Sequence, residues 1–111
     1  MTDRKLTVSW EDPAELVKHG GGSTGVELLR AMVAGELPRA PIQSLIGFEI
    51  VEAEEGRVAF VGHPGEQHYN PIGTVHGGFA ATLLDSALGA AVHTTLAADE
   101  AYITLELKLN L

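Results

Sequence analysis

Hydrophobic and polar positions divide this chain into segments of different period. After Thr24, the apolar residues Val26, Leu29, Met32 and Val33 recur on one helical face, and Thr24-x-x-Glu27 has capping-box spacing. Gly35 is a natural stop for that helix. Pro38 and Pro41 then break the chain, and Pro41 opens a short helical turn over Ile42 to Ile46. Gly47 to Ala53 and Arg57 to Val61 read as two strands around Glu54-Glu55-Gly56, with Gly56 supplying the positive φ of a hairpin turn. His63 to Gly73 is a loop. A long helix runs from Gly77 to about Thr95, and its Ala, Gly, Leu, Thr, Phe and Val composition predicts burial on most faces. Tyr102 to Leu111 alternates strictly. Ile103, Leu105, Leu107, Leu109 and Leu111 fall on one side, which predicts a third strand with one buried face.

Residues 1–24 read as a flexible tail that contains the stretch His19-Gly20-Gly21-Gly22, and 25–111 as one domain. The alternation at 102–111 is still running where the sequence stops. Three strands around a helix leave bare edges, so the expectation is a C-terminally truncated sheet or a partner that covers it.

Composition narrows the function classes. A chain of 111 residues supports one modest core. A net charge of -8 argues against nucleic-acid binding, whose footprint is a basic patch. The absence of Cys removes disulfides and thiolate metal sites, and fits a reducing cytoplasm. The charged N-terminus has no apolar core of a secretory signal. The Gly77 to Ala98 run is interrupted by Asp85, Ser86, His93, Thr94 and Thr95, so a buried helix is expected there and not a membrane span. His63 and His68 lack metal-ligand spacing, and no metal is expected.

One carboxylate stands out. Asp85 is the only acidic residue between Asn70 and Ala98, a stretch with no Lys or Arg. A buried carboxylate needs a partner, so it is either satisfied structurally or chemically active. Gly77 and Gly78 open the same helix, where backbone N–H groups favour negative charge and glycine permits close approach of a carbonyl. Gly77 can serve as an oxyanion donor, and Asp85 as a general base or nucleophile. Gly77 and Asp85 are eight positions apart, roughly 12 Å at 1.5 Å per residue. One helix cannot bring both to one carbonyl, and antiparallel helices of two chains can.

The stretch His68-Tyr69-Asn70-Pro71-Ile72-Gly73-Thr74-Val75-His76-Gly77-Gly78, followed by Leu84-Asp85-Ser86-Ala87, resembles the hotdog-fold acyl-CoA thioesterases, nearest to the phenylacetate-pathway and hydroxybenzoyl-CoA branch. Asn70 stands six positions before His76, and Asp85 nine after it. The likeness covers about Gly47 to Leu111. It implies an α+β fold, a curved antiparallel sheet wrapped around one central helix, with five or more strands against the three found here. It also implies acyl-CoA hydrolysis without a metal or redox cofactor, with CoA as part of the substrate. The site would lie at a homodimer interface, in a dimer or a dimer of dimers. The implied catalytic set is Asp85, Gly77, Asn70 (orienting water or the partner's Asp85), His76 and Thr104 (holding the water). Gly78, Gly73 and His68 would contact substrate. Arg57, Lys108 and Arg39 are candidates for the CoA phosphates only by being basic.

Bland readings stand beside these. Asn70 before Pro71 suits a turn, Gly77-Gly78 suits a tight start to a helix, His76 suits a cap or loop brace, and Thr104 suits any strand. Two rival functions remain, a non-catalytic acyl-CoA-binding module and a hotdog acyl-CoA hydratase or dehydratase.

Overall fold

The computed structural model describes residues 2–111. Its elements are α1 (Pro13–Gly20), α2 (Gly25–Val33), α3 (Pro41–Ile46), β1 (Phe48–Glu54), β2 (Arg57–Gly62), a 3₁₀ turn (Glu66–His68) and α4 (Gly77–His93). The architecture is α+β, with one two-stranded antiparallel sheet, α2 against β1 and α4 against β2.

The elements start and stop where local chemistry dictates. The Thr24 side chain accepts from the Glu27 amide and the Glu27 side chain accepts from the Thr24 amide, a complete capping box. Gly35 turns the chain with φ +75° after α2, Gly47 ends α3 with φ +92°, and Gly56 turns the hairpin with φ +79°. Within β1 the register shifts between Ile50 and Glu52, so Val51 is an extra, bulged residue. The bulge flips the inward parity, from Phe48 and Ile50 before it to Ala53 after it.

The core lies between α2, the hairpin and α4. Leu29, Ile50 and Ala90 form its buried centre, flanked by Met32, Ala53, Val58 and Phe60. Phe48 is fully buried against Phe60, ring centroids 6.0 Å apart. Gly62 lets β2 approach α4 closely, because a Cβ there would stand 2.9 Å from the Phe79 ring.

Three expectations need correction. Tyr102–Leu111 is not a strand; it runs extended and pairs with neither β1 nor β2, so the sheet has two strands. The segment lies along α4 with its polar side inward, since Thr104 finds a partner in Asp85 and Tyr102 finds a groove at Gly89. Ile103 and Leu105, on the other side, therefore face solvent, while Leu109 is half-buried and Leu111 reaches Gly77. Second, α4 is not buried on most faces: Leu84, Leu88 and Val92, spaced one turn apart, are exposed. The radius of gyration, 15.3 Å, exceeds the ~13 Å expected for a closed domain of this length. Third, the segment read as a tail contains α1, capped by Asp12 and opened by Pro13 at a favourable first position. Its extended part is tied to the body by an Arg4–Glu66 ion pair.

Among the described residues no helix is long and apolar enough to cross a membrane.

The tightest joint is Gly25 against the end of α4. A Cβ on Gly25 would fall 1.7 Å from the His93 carbonyl oxygen. Gly25→Ala should destabilise the fold by about 3 kcal/mol, the cost of forced backbone movement in a packed site. Gly20→Ala, where the nearest atoms lie 3.7 Å away, should leave the thermal midpoint near that of the parent chain. Equal midpoints for both variants would mean the joint is slack.

Candidate functional site

The site residues sit on three elements: the 63–76 loop, α4 and the extended C-terminal segment. Their local partners separate the braces from the groups left free.

Asn70 shapes its own loop. Its Oδ1 accepts from the Ile72 amide at 3.1 Å and the Thr74 amide at 3.1 Å, and its Nδ2 donates to Thr74 Oγ1 at 2.8 Å. The Asn70 amide donates to the Thr74 carbonyl, and the Gly73 amide to the Asn70 carbonyl. Gly73 makes this turn at φ +81°. Only one Nδ2 hydrogen remains for another partner, so the turn chemistry that suited Asn70 and Gly73 accounts for their geometry within this chain.

His76 caps α4. Its Nδ1 accepts from the Gly78 amide at 2.7 Å, and its carbonyl accepts from the Phe79 amide at 3.0 Å. An accepting Nδ1 fixes the ring proton on Nε2. The sequence expectation that Gly77 and Gly78 both offer free amides is therefore corrected: the imidazole occupies Gly78, and the Gly77 N–H alone is unpaired among the described residues. Leu111 lies over Gly77, its Cδ1 3.1 Å from where a Cβ would be.

His68 is also a brace. Its Nδ1 accepts from the Gly65 amide at 2.9 Å, its carbonyl accepts from the His76 amide at 2.8 Å, and its ring packs on Phe79 at 4.6 Å. His68, Tyr69, His76, Gly78 and Phe79 line a cavity of about 280 Å³ at the start of α4. The loop and the helix start thus bring His68, His76 and Gly78 together, and Asp85 is not among the residues lining that cavity.

Asp85 is half-buried two turns further along α4, and Thr104 Oγ1 donates to its Oδ1 at 2.9 Å. This bond orients one carboxylate oxygen and leaves the other without a partner among the described residues. Tyr102, not singled out in the sequence, completes this end. Its ring covers Gly89 and lies 5.6 Å from the His93 ring. The alternation that put Thr104 on the polar side puts Tyr102 there too, which was the available signal. Burial and then the Asp85 charge push the Tyr102 phenol above its ordinary value, and burial pushes the His93 imidazole down.

Of the basic candidates for phosphates, Arg57 is paired with Glu52 at 2.7 Å and Arg39 with Glu49 at 3.2 Å. Lys108 has no ion pair among the described residues. No group of three or more His, Cys, Asp or Glu that could hold a metal occurs among the described residues.

No family model, curated protein or solved structure matches this chain.

The Tyr102–Asp85 relation can be read directly by titration. A carboxylate near a phenol disfavours the phenolate, so Asp85→Asn should lower the midpoint of Tyr102 ionisation. Phenolate absorbance in a Tyr69→Phe background isolates Tyr102. An unmoved midpoint would show that the Asp85 charge does not reach the ring.

Proposed function

We propose that this chain is an acyl-CoA thioesterase of the hotdog type, acting as a homodimer. One observation carries the reading: α4 is a single uninterrupted helix with one unpaired amide at its start, Gly77, and one carboxylate oriented by a hydroxyl two turns on, Asp85. An oxyanion donor and a base or nucleophile are the two parts that thioester hydrolysis requires.

The division of work on the loop supports the same reading. His76 engages Gly78 through Nδ1, which leaves the neighbouring Gly77 amide as the free donor at the positive end of the helix. Asp85 takes a proton from a water that attacks the thioester carbonyl, or attacks it directly to give a mixed anhydride that water then hydrolyses, and the oxyanion that forms is held by the Gly77 amide. Collapse expels the CoA thiolate. The substrate carbonyl is held between Gly77 of one chain and Asp85 of the other, because the two groups are roughly 12 Å apart along one helix. Two antiparallel copies of α4 also cover the exposed Leu84, Leu88 and Val92 stripe. The curved sheet of a hotdog fold requires more strands than β1 and β2, and the unpaired Tyr102–Leu111 segment supplies a further one when a neighbour pairs with it.

A non-catalytic acyl-CoA-binding module is the second reading. The engagement of Asn70 in its own turn favours it, since that leaves one fewer group to position water. A thiol-release assay over short, aromatic and long acyl-CoAs separates the two. Turnover that is lost in Asp85→Asn, with binding and dimer mass retained, supports the thioesterase. Binding without cleavage of any member makes the chain a binding module.

The cross-chain arrangement has its own test. Gly77→Pro deletes the one free N–H and keeps the helix, since proline suits the first helical position and His76 before it already has the extended backbone proline demands (φ -61°, ψ 138°). Turnover should fall by about 10²-fold or more, the typical loss of one oxyanion donor. Mixing Gly77→Pro with Asp85→Asn chains should restore about a quarter of parental activity, because half the dimers are mixed and each has one intact site. Heterodimers without recovered turnover would sink the shared site.

A further inference from the structure

A second cavity lies away from the α4 site, between α2, α3, β1 and the extended segment before α1. It holds about 650 Å³, within the range of small-molecule sites. Met32, Val33, Leu37, Pro38 and Ile50 supply apolar surface, and Trp10 stands at its rim, 61% exposed.

Its decisive group is Gln43, only 4% exposed although it is a polar residue. The Gln43 Oε1 accepts from the Ala40 amide at 2.8 Å, closing the start of α3. That bond fixes which end of the carboxamide is which, since only the oxygen can accept. The Nε2 group therefore faces the other way and has no hydrogen-bond partner among the described residues. Gln43 lines the cavity, and no side-chain polar atom among the described residues is both sealed from solvent and unpaired, so this donor opens into the cavity. An amide donor that water reaches in a cavity can exchange that water for a ligand acceptor.

Charge sets the sign of the ligand. Glu11, Glu36 and Glu49 line the cavity against one cation, Arg39, which is already paired with Glu49. The surplus is negative, so an anion is repelled and a neutral or cationic molecule is admitted. The Trp10 indole offers a stacking face and attracts a cation.

We propose that this cavity is a binding site for a small aromatic molecule that carries a hydrogen-bond acceptor and no negative charge, with its acceptor on Gln43 Nε2 and its ring against Trp10 and Leu37. The ligand class excludes an anionic CoA ester, so the site is separate from the α4 chemistry and stands whether or not acyl-CoA is cleaved.

Trp10 is the only tryptophan in the chain, so its emission reports on this cavity alone. Titration with benzamide and with the cationic 4-(aminomethyl)benzamide should give saturable changes, and benzoate, which keeps the acceptor but carries a negative charge, should bind at least about tenfold more weakly than benzamide, the discrimination expected from charge repulsion. Gln43→Met removes the donor but also uncaps α3, so Val33→Phe serves as a second variant that fills the cavity and leaves Gln43 in place. It should weaken both amides about tenfold while circular dichroism stays at the parental spectrum. Three results would overturn the site: no saturable change with either amide, benzoate binding as tightly as benzamide, or unchanged amide binding in a folded Val33→Phe chain.

Discussion

The fold depends on the joint at the C-terminal end of α4. Thr94, 2% exposed, accepts the Gly56 amide on its Oγ1 at 2.7 Å and donates that hydroxyl to the Ala91 carbonyl at 2.6 Å. One side chain therefore satisfies the hairpin turn and closes the helix end together. Beside it Gly25 lies directly on the His93 carbonyl, and its amide donates to Leu96 at 3.0 Å. Three elements meet there with no room for a Cβ, and this fixes the axis of α4. Everything at the other end of the helix, including the Gly77 amide and the loop that His76 braces, takes its position from that axis.

The α4 site reads as a division between groups that hold shape and groups left for a ligand. Asn70, Gly73, His68 and His76 are all engaged within the loop or the cap. What remains available includes the Gly77 amide, one oxygen of Asp85, one Nδ2 hydrogen of Asn70 and the Nε2 side of His76. A hydroxyl and a tyrosine from the extended C-terminal segment attend the carboxylate. The Gly77 amide is presented by a preformed helix start, so a ligand that accepts from it meets a donor already in place.

Much of this was legible in the sequence where the signal was local. The Thr24–Glu27 box, Gly35, Pro41 and the Gly56 hairpin each depend on residues a few positions apart, and each element lies within a residue or two of its expected bounds. Asp85 announced itself by charge isolation, and its hydroxyl partner Thr104 lies on the expected face of the alternating segment. What was not legible depends on what lies opposite. Strict alternation in 102–111 records two different faces, but only a neighbour decides which is covered, and here the polar face met α4. The bulge at Val51 left no mark in composition. The occupancy of the Gly78 amide by His76 depends on a ring orientation that spacing cannot state. The helix α1 carries a start signal in Asp12-Pro13, but the run of glycines after it gives the segment the pattern of a flexible tail.

The separation of the joined residues bears on how the chain reaches this state. The hairpin closes across two residues and the capping box across three, so both form early and locally. Gly56 and Thr94 are 38 positions apart, and Gly25 and His93 lie further apart still. Such contacts form only after long loops have closed, and non-local contacts slow folding. The α4 helix carries one charged pair-forming group, Asp85, and no Lys or Arg with which to stabilise itself in isolation. Its order therefore depends on docking, and the backbone fit between Gly25 and His93 can form only once the long stretch of chain between them has closed into a loop.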